Sequence, residues 1–500
     1  MKATEIVIAL DQGSSSSRAL AFDPKGRVVA RAQFPVATFL PRPGWYEHDA
    51  TELAGTLERA LDTVLGRLPR KARVVGVGIA AQRSTVVLWD TETGRPVCRA
   101  PSWQDARAAG LVAPLQQDPR RQAEVREKTG LHLTPFYSAP KIRFLLDQTP
   151  KARLMADKGR LAIGPVSSYA LWRLTRGEVF RTDPSMGQRM LLYNLRRGCW
   201  DAGLLSLFRI PRATLPEIVP TAGEWGVIAR KGRRMPVLAV MGDQQSAALG
   251  QGGSEPGVGV LNYGTGAFFL LHTGEELHRL PGLLTSVAWQ MEDRPCRYFL
   301  EGSVHAAGTS FEWLRRNFGI LRSVRSVNAA CRRSRQRVLA LQALGGLGAP
   351  RWDYRTPTVF MGLGPQTRSE DVVRGVMESI AFLVADVVTP MLDAGLEIRD
   401  FRASGGLAGV DALLQFQADI LQRRIIRFKE REATALGVAS LAAEQAGAPW
   451  AASLRGGVRD RVFSPSLEGR AARRLLEGWR RFVEAQQRLA AELRELGVLE

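Results

Sequence analysis

The residues with the clearest chemical pattern lie near the start of the chain. Two apolar runs, Ile6–Leu10 and Ala19–Phe22, flank a small polar turn that contains Gly13 and four serines. The runs favour β-strands, and the turn favours a hairpin whose tip is rich in backbone N–H and hydroxyl donors. Because successive N–H groups form a concavity that binds anions, the segment predicts a phosphate site. A serine-rich surface turn without a ligand is the alternative that these residues leave open.

Charged residues border this turn on both sides. Asp11 ends the first run, where its carboxylate can hold a magnesium ion directly or through water. Arg18 precedes the second run and adds a fixed positive charge near the tip. A carboxylate, a cation and a donor-rich turn close together in sequence favour a bound phosphate with its metal ion.

A similar pattern recurs in the second half of the chain. Residues 257–271 again predict a strand, a small tip and a second strand, with the tip at Tyr263-Gly264-Thr265-Gly266. Two phosphate-type hairpins predict two related domains that hold one nucleotide between them. The glycine-rich segment Gln251–Gly257 is the candidate linker, so we expect domains at residues 1–250 and 257–500. No repeat recurs at about 20–50 residues, which argues against a solenoid.

Length and composition set the broad class of protein. The 500 residues exceed what one hydrophobic core usually serves, which agrees with two large domains. A hydrophobic fraction of 45% with 24% charged residues is ordinary for a soluble globular protein. No uninterrupted run of about 18 apolar residues occurs, so no membrane span is expected. A strand begins within the first few residues and leaves no room for a signal peptide, which predicts a cytoplasmic location.

The net charge of +20 raises the possibility of a nucleic-acid partner. The basic residues are spread along the chain and are not interleaved with aromatic residues, as a stacking groove for single strands requires. We therefore expect no nucleic-acid partner and assign the charge to an enzyme that handles anionic nucleotides. The scattered cysteines and histidines predict neither a disulfide framework nor a histidine-based metal site.

Strands and helices must position the chemical residues. A strand at Arg73–Ala81 leads into Gln82-Arg83-Ser84, and a strand at Pro236–Met241 leads into Gly242-Asp243-Gln244. Asp243 fits the N-cap of the following helix, and an N-cap is compatible with a catalytic carboxylate at that place. A helix is predicted over residues 145–158, and the proline-broken residues 200–220 predict a loop-rich stretch.

Longer motifs follow one another in a fixed order from the first hairpin onward. They are Asp11–Asp23, Gly44–Asp49, Gln82–Asp90, Trp103–Asp105, Gly242–Gln244, Tyr263–Gly266, Leu300–Ser303, Leu347–Pro350, Glu378–Ala381, Ser404–Gly406 and Gln415–Leu421. This series resembles the sugar and polyol kinases of the FGGY family, most closely the members that phosphorylate glycerol. The resemblance implies an α/β fold of two actin-like, ribonuclease-H-like domains with ATP in the cleft between them. The N-terminal domain would then carry the substrate and the base, and the C-terminal domain would bind the nucleotide.

The resemblance also implies a role for individual residues. Asp243 would be the catalytic base, and Asp11 and Asp243 would lie next to Mg²⁺. The nucleotide would contact Ser14, Ser15, Ser16, Arg18, Gly264, Thr265, Gly266, Gly308, Glu312, Gly405, Gly406 and Val410. The small-molecule substrate would contact Arg83, Ser84, Trp103, Phe136, Tyr137, Asp243, Gln244 and Phe268.

Three of these positions depart from the pattern that the chain resembles. Ser84 replaces a glutamate that accepts substrate hydroxyl protons, and Phe136 stands where a tyrosine is usual, although Tyr137 lies next to it. Val410 replaces an asparagine that borders the adenine. The expected reaction is ATP-dependent phosphorylation of a terminal hydroxyl of a small polyol. Glycerol, giving glycerol 3-phosphate, is the first candidate, and another short polyol or a ketose sugar is the alternative.

Proteins of other classes share the fold that this resemblance implies. A nucleotide-gated chaperone or filament protein is one rival, and a relative that binds nucleotide without catalysis is another. The substrate-binding residues favour the kinase, because Arg83, Trp103 and Gln244 together with Asp243 have no evident use in a chaperone. We expect a homo-oligomer, either a dimer or a tetramer.

Overall fold

Strands and helices alternate in a computed structural model that describes residues 4–429 and 432–499. The strands are β1 (Glu5–Gln12), β2 (Ser16–Phe22), β3 (Val28–Pro35), β4 (Glu47–His48), β5 (Arg73–Ala81), β6 (Val86–Asp90), β7 (Ala100–Pro101), β8 (Leu161–Pro165), β9 (Arg181–Thr182), β10 (Tyr193–Asn194), β11 (Cys199–Trp200), β12 (Glu217–Ile218), β13 (Val227–Arg230), β14 (Arg233–Gly242), β15 (Val258–Tyr263), β16 (Ala267–Gly274), β17 (Leu284–Trp289), β18 (Arg297–Val304), β19 (Leu339–Leu341), β20 (Val359–Met361), β21 (Asp400–Ser404), β22 (Ile425–Phe428) and β23 (Arg459–Phe463). The α-helices are α1 (Ala50–Arg67), α2 (Ala109–Gln116), α3 (Pro119–Thr129), α4 (Ser138–Gln148), α5 (Pro150–Asp157), α6 (Val166–Leu174), α7 (Pro184–Gln188), α8 (Ala202–Phe208), α9 (Asp243–Gly250), α10 (Gly308–Trp313), α11 (Val327–Arg333), α12 (Ser369–Asp393), α13 (Asp411–Leu421), α14 (Ala433–Gln445) and α15 (Gly469–Glu495).

Contacts between residues divide the chain into two units. The first unit comprises Met1–Gly252, Thr285–Tyr298 and Arg431–Gly456. The second unit comprises Gly253–Leu284, Phe299–Glu430 and Gly457–Glu500. Helix α14 therefore belongs to the first unit, although it follows most of the second unit in sequence.

The first unit is built on a sheet with the strand order β13-β14-β5-β1-β2-β3. Strands β1 and β2 form the predicted hairpin, and β5 and β14 continue the sheet in parallel with β1. Seven of the eight residues of β1 are buried, which agrees with a strand that is covered on both faces. Because both faces of β1 are covered, apolar residues follow one another along it without alternating with polar ones.

Helices α1 and α14 cover opposite faces of this sheet. Val77 and Ile79 of β5 belong to the same apolar cluster as the buried face of α1. The alternate residue Gly78 points the other way, and a Cβ there would lie 2.6 Å from the carbonyl oxygen of Val438 in α14. Since strand side chains alternate between faces, glycine at this position lets α14 approach the sheet closely.

The second unit repeats this strand arrangement. Its strands lie in a seven-stranded sheet of order β17-β18-β16-β15-β21-β22-β23, with β15 and β16 antiparallel and β21 parallel to β15. The order β18-β16-β15-β21-β22 matches β3-β2-β1-β5-β14 strand for strand, because each begins with a hairpin and adds parallel strands on the other side. The predicted α/β fold of two actin-like domains is confirmed by this repetition together with the similarity to solved structures described below.

The core of the second unit is organised around α12. This helix is long and apolar enough to cross a membrane, yet 83% of its most apolar 18-residue window is buried. It packs into the apolar cluster that also contains Phe269, Phe401 and Trp479. It is therefore a core helix, and its apolar character comes from burial on all sides.

Two predictions about local structure are wrong. The helix predicted over residues 145–158 is instead two helices, α4 and α5, because Pro150 disfavours a helical conformation at Thr149. The stretch 200–220 contains the helix α8, which ends before the first proline of the stretch and is capped by the Asp201 side chain. The prolines excluded a helix only from the residues that follow α8.

Candidate active site

Three parallel strands of the first unit end at the same edge of the sheet. In their register Asp11 of β1 is paired with Ala80 of β5, and Ala80 with Met241 of β14. Arg83 and Asp243 follow the ends of β5 and β14, so the edge that carries Asp11 carries them as well. Ligands bind at this edge in many open α/β sheets because the loops after the strands converge there.

The first hairpin has a closed tip and a charged pair beside it. The Gly13 N–H donates to the Ser16 carbonyl oxygen at 3.0 Å, which closes the tip. Arg18 Nε donates to Asp11 Oδ2 at 3.1 Å, and Arg18 Nη1 donates to a carboxylate oxygen of Glu432 at 2.9 Å. Burial raises the pKa of the Asp11 carboxyl, and the Arg18 charge opposes that shift. The hairpin thus carries a buried carboxylate that is held in place by a guanidinium.

Asp243 is the first residue of α9 and Gly242 is its N-cap, so the prediction that Asp243 occupies the N-cap is wrong by one residue. Its Oδ1 accepts the Gln244 N–H at 2.8 Å and lies 4.0 Å from Arg83 Nε. The side chain keeps 32% of its surface exposed, so it is accessible from the edge although protein surrounds it. This enclosure raises its pKa to about 6, the charge of Asp11 adds to the rise, and Arg83 opposes it. Such a carboxylate is a stronger base than an ordinary aspartate and is still ionised at neutral pH.

Arg83 and Gln244 are brought together beside this carboxylate. An Arg83 guanidinium nitrogen donates to Gln244 Oε1. Trp103 reaches the same neighbourhood through its backbone, since its N–H donates to Thr85 Oγ1 at 3.2 Å. Trp103 itself is 45% exposed, so its ring is accessible to solvent.

Ser84 adopts a left-handed backbone conformation, with φ of 62°. Its carbonyl oxygen accepts from Lys141 Nζ at 2.8 Å and from Ser138 Oγ at 3.3 Å. Phe136 and Tyr137 immediately precede α4 and are both half-buried. The structure therefore ties the Ser84 backbone to the start of the helix that follows Phe136 and Tyr137.

Arg189 is a residue near the site that the sequence did not single out. It is buried, and its charge lowers the pKa of Asp243. Its guanidinium donates to Ser286 Oγ at 2.7 Å and lies 6.0 Å from the centre of the Tyr137 ring. No sequence signal identified it, because one arginine among 69 basic residues stands out only when its neighbours are known.

The second unit brings two glycine-containing turns to one edge of its sheet. The hairpin tip at residues 264–266 joins β15 to β16, and Gly405 follows β21, whose Ser404 is paired with Asn262 of β15. Gly405 has φ of 92°, and a Cβ there would clash with the backbone of Tyr263. Only glycine allows the two turns to approach this closely.

The tip of this hairpin rests on the start of α10. The Gly308 N–H donates to the Gly264 carbonyl oxygen at 3.0 Å, and the Ala307 N–H donates to Thr265 at 3.0 Å. A Cβ at Gly308 would lie 2.7 Å from the Gly264 carbonyl oxygen. Gly264 and Thr265 remain exposed, whereas Gly266 is buried. The predicted nucleotide-binding residues of this turn are therefore grouped in space.

Three further predicted residues of the second unit lie in different surroundings. Glu312 is paired with Arg315 and Arg316 on its own helical segment, and these cations lower its pKa to about 2. Val410 is buried at the N-cap of α13, and Phe268 is half-buried in β16. Their predicted contacts with nucleotide or substrate stay predictions.

Magnesium fits the donor set of the first unit only in part. Within residues 4–429 and 432–499, no group of three or more His, Cys, Asp or Glu side chains could enclose a metal ion. Asp11 and Asp243 do supply carboxylate oxygens near one another, because the charge of Asp11 raises the pKa of Asp243. Mg²⁺ is usually held by one or two carboxylates together with substrate phosphates and water. The two aspartates match that kind of site.

Comparison with known proteins matches both units to one family. Residues 6–250 match the N-terminal domain of the FGGY family of carbohydrate kinases, and residues 259–446 match its C-terminal domain. The chain is 40% identical over 487 residues to glycerol kinase of Alkalilimnicola ehrlichii, covering 96% of this chain and 98% of the relative. It is also 40% identical over 489 residues to glycerol kinase of Halorhodospira halophila, covering 95% and 96%. The crystal structure of Plasmodium falciparum glycerol kinase with ADP superposes with a TM-score of 0.90 at 27% identity, covering 97% of this chain and 99% of the other.

Proposed function

The chain belongs to the FGGY family of carbohydrate kinases, and from that membership we propose that it transfers the γ-phosphoryl group of ATP to a terminal hydroxyl of glycerol. The product would be glycerol 3-phosphate. Relatives that share 40% identity over nearly their whole length bear the name glycerol kinase, which supports this substrate. The observation that carries the proposal is the pairing of Asp243 with Arg83 at the sheet edge that also holds the phosphate-type hairpin.

Asp243 is the proposed general base. An alcohol is a weak nucleophile, so a carboxylate within hydrogen-bond reach of the attacking hydroxyl accelerates the transfer. Oδ1 accepts the Gln244 N–H, and among the described residues none donates to Oδ2. Oδ2 is therefore the atom that accepts the hydroxyl proton. Arg83 orients the substrate by donating to one of its hydroxyl oxygens, while its charge keeps Asp243 ionised.

The two hairpins are the proposed phosphate sites. Ser14, Ser15, Ser16 and Arg18 offer donors to the phosphoryl group in transfer, and the exposed turn residues Gly264 and Thr265 would contact the rest of the triphosphate. Positioning and charge stabilisation supply most of the catalysis in phosphoryl transfer, so fixed donors suit the task. Asp11 and Asp243 would hold Mg²⁺, which would neutralise phosphate charge. We also expect a cytoplasmic homo-oligomer.

A short polyol other than glycerol, or a ketose sugar, is the second candidate substrate. The observation that favours it is the Ser84 side chain, which is short and uncharged where the resemblance leads one to expect a glutamate. Hydrogen bonds to a charged acceptor contribute about 1.5–3 kcal/mol, so the pocket holds glycerol with fewer strong contacts. A roomier pocket with fewer polar partners discriminates weakly between analogues.

A substrate panel tests the proposal. ADP release is measured with MgATP and, separately, glycerol, erythritol, ribitol, xylitol, dihydroxyacetone and xylulose, and the phosphorylated product is identified by mass. The proposal predicts polyol-dependent ADP release with glycerol 3-phosphate among the products. ADP release that is independent of every acceptor, with no phosphorylated product, would instead support a nucleotide-gated protein of the same fold. Turnover on a ketose but not on glycerol would select the second candidate.

A further inference from the structure

Lys141 is a buried cation that the proposed chemistry does not use. It lies on α4 with none of its surface exposed to solvent. Its Nζ donates to three backbone carbonyl oxygens, those of Ser84, Ser102 and Phe136, each at 2.8 Å. A lysine ammonium has three hydrogens to donate, so this arrangement uses all of them.

The three carbonyl groups belong to three separate segments of the first unit. Ser84 follows β5, Ser102 directly precedes Trp103, and Phe136 directly precedes Tyr137. Each segment carries a residue that the resemblance to the FGGY family predicts to contact the substrate. A single ammonium therefore bonds to all three segments, in addition to the Trp103 N–H bond to Thr85 and the Ser138 hydroxyl bond to Ser84.

The surroundings of Lys141 show that no carboxylate neutralises it through a hydrogen bond. The charge of Asp105 raises the pKa of Lys141 and that of Arg107 lowers it, and the Asp105 oxygens already accept from Arg107 and from the Tyr46 N–H. A charge enclosed in this way is costly, and burial lowers the pKa of Lys141 to about 7. An apolar side chain here would take this donor from three carbonyl oxygens, so the lysine serves hydrogen bonding and not packing alone.

The Ser84 backbone supplies an independent indication. A serine with φ of 62° is strained, and such a conformation persists only where its surroundings enforce it. The Ser84 carbonyl is held by Lys141 and by Ser138 Oγ, both on α4. Lys141 thus helps to enforce the conformation of the residue that follows Arg83.

We propose that Lys141 is a positioning residue that sets the substrate-binding geometry of this kinase by joining the segments at Ser84, Trp103 and Tyr137. The inference rests on the proposed function for the nature of the substrate. The hydrogen bonds of Lys141 go to Ser84, Ser102 and Phe136 and not to Asp243 or the first hairpin, so we expect its removal to act on substrate binding and to spare the base and the nucleotide.

Kinetics of two substitutions test this role. Lys141→Met removes every donor at nearly constant length, and Lys141→Gln keeps two N–H donors without the charge. We expect the KM for the polyol to rise about tenfold or more in Lys141→Met and less in Lys141→Gln, because misplaced positioning groups weaken binding strongly. The kcat at saturating polyol and the KM for MgATP should stay within about threefold of the wild type. Arg143→Gln, which removes a cation from the same helix, is the matched control and should change neither KM.

A rise in both KM values together with a fall in kcat of equal size would overturn the proposal. An unchanged polyol KM in a folded variant would overturn it as well. Failure of both Lys141 variants to melt cooperatively would overturn it too, in favour of a purely structural role.

Amide hydrogen exchange without substrate separates this inference from the proposed function. Peptides containing residues 84, 103 and 137 should exchange faster in Lys141→Met, while the hairpin at residues 13–18 should not. If the wild type phosphorylates no polyol but exchange changes as stated, only the proposed function fails.

Discussion

Arg83 Nε and Asp243 Oδ1 lie 4.0 Å apart where two neighbouring parallel strands end. The attraction between them lowers the pKa of Asp243, while burial and the Asp11 charge raise it, and the balance is a pKa of about 6. A base with this pKa is mostly ionised at neutral pH and still accepts a proton more readily than an exposed aspartate. A catalytic base must be ionised at neutral pH and must accept a proton readily. The pair gives Asp243 both properties, which a solvated carboxylate does not combine.

Replacing the base should abolish most turnover. We expect Asp243→Asn to retain nucleotide binding and to lose about 10²–10⁴-fold in kcat, the usual contribution of general-base catalysis. In the wild type, kcat should rise with pH through about 6, as the Asp243 carboxyl loses its proton, and this rise should be absent from the variant. Steady-state rates from pH 5 to 8 and ADP binding by calorimetry check both points. A variant within about tenfold of the wild type would remove Asp243 from the role of base.

The same substitution should stabilise the protein at alkaline pH. The folded pKa of Asp243 is about 6 against an ordinary value of 3.8, so the folded state binds this proton more tightly than the unfolded state. Its contribution to stability is present at low pH and is lost as the pH rises through 6. Asp243→Asn, which cannot ionise, should therefore raise the Tm by about 1–3 °C at pH 8 and change it little at pH 4.5. Melting curves of the variant and the wild type at pH 4.5 and pH 8 measure the sign of the change in Tm.

Asp11 should be required for metal-dependent turnover. Asp11→Ala removes the carboxylate nearest the hairpin tip and leaves Arg18 without that partner. We expect turnover to fall severely and not to recover at high magnesium, as a titration of the variant would show. Asp23→Asn is the control, because Asp23 is a buried carboxylate directly after β2 that pairs with Arg27 instead. Ordinary activity of Asp11→Ala at ordinary magnesium would contradict the metal role.

Ser84 should determine how tightly glycerol is held. Ser84→Glu supplies a charged acceptor in place of a hydroxyl, so we expect kcat/KM for glycerol to rise and the preference for four- and five-carbon polyols to fall. A gain of about tenfold corresponds to one hydrogen bond to a charged group. Ser84→Gln is the control, because glutamine is nearly the same size as glutamate and carries no charge. Tight glycerol selectivity in the wild type with no gain in Ser84→Glu would mean that other residues, such as Tyr137, compensate.

Close packing of α9 against α14 should be essential for stability. A Cβ at Gly437 would clash with the Ser246 carbonyl oxygen, which lies on the helix that begins at Asp243. We expect Gly437→Ala to destabilise the first unit by about 2 kcal/mol or more and to reduce kcat through displacement of α9. Gly55→Ala is the control, since Gly55 lies inside α1 with nothing near a Cβ, and it should stabilise by about 0.5–1 kcal/mol. Urea unfolding of the two variants measures both effects.

The sequence by itself determined the fold class and the family. Continuous apolar runs such as Ile6–Leu10 identify buried strands, and the two hairpin tips mark the start of two related units, because these signals depend only on near neighbours in the chain. The ordered series of motifs then identified a carbohydrate kinase, which the family comparison confirms. Local signals failed at Thr149. Because Pro150 follows it, the single predicted helix is divided into two.

Only the tertiary structure decided which side chains act on one another. The raised pKa of Asp243 depends on enclosure by distant segments and on the charges of Asp11, Arg83 and Arg189. The carbonyl groups of Ser84 and Ser102 lie far from Lys141 in sequence and meet it only in the folded chain, whereas that of Phe136 lies five residues before it. Electrostatic and hydrogen-bond energies depend on distances between atoms and on burial, and a sequence specifies neither until the chain has folded.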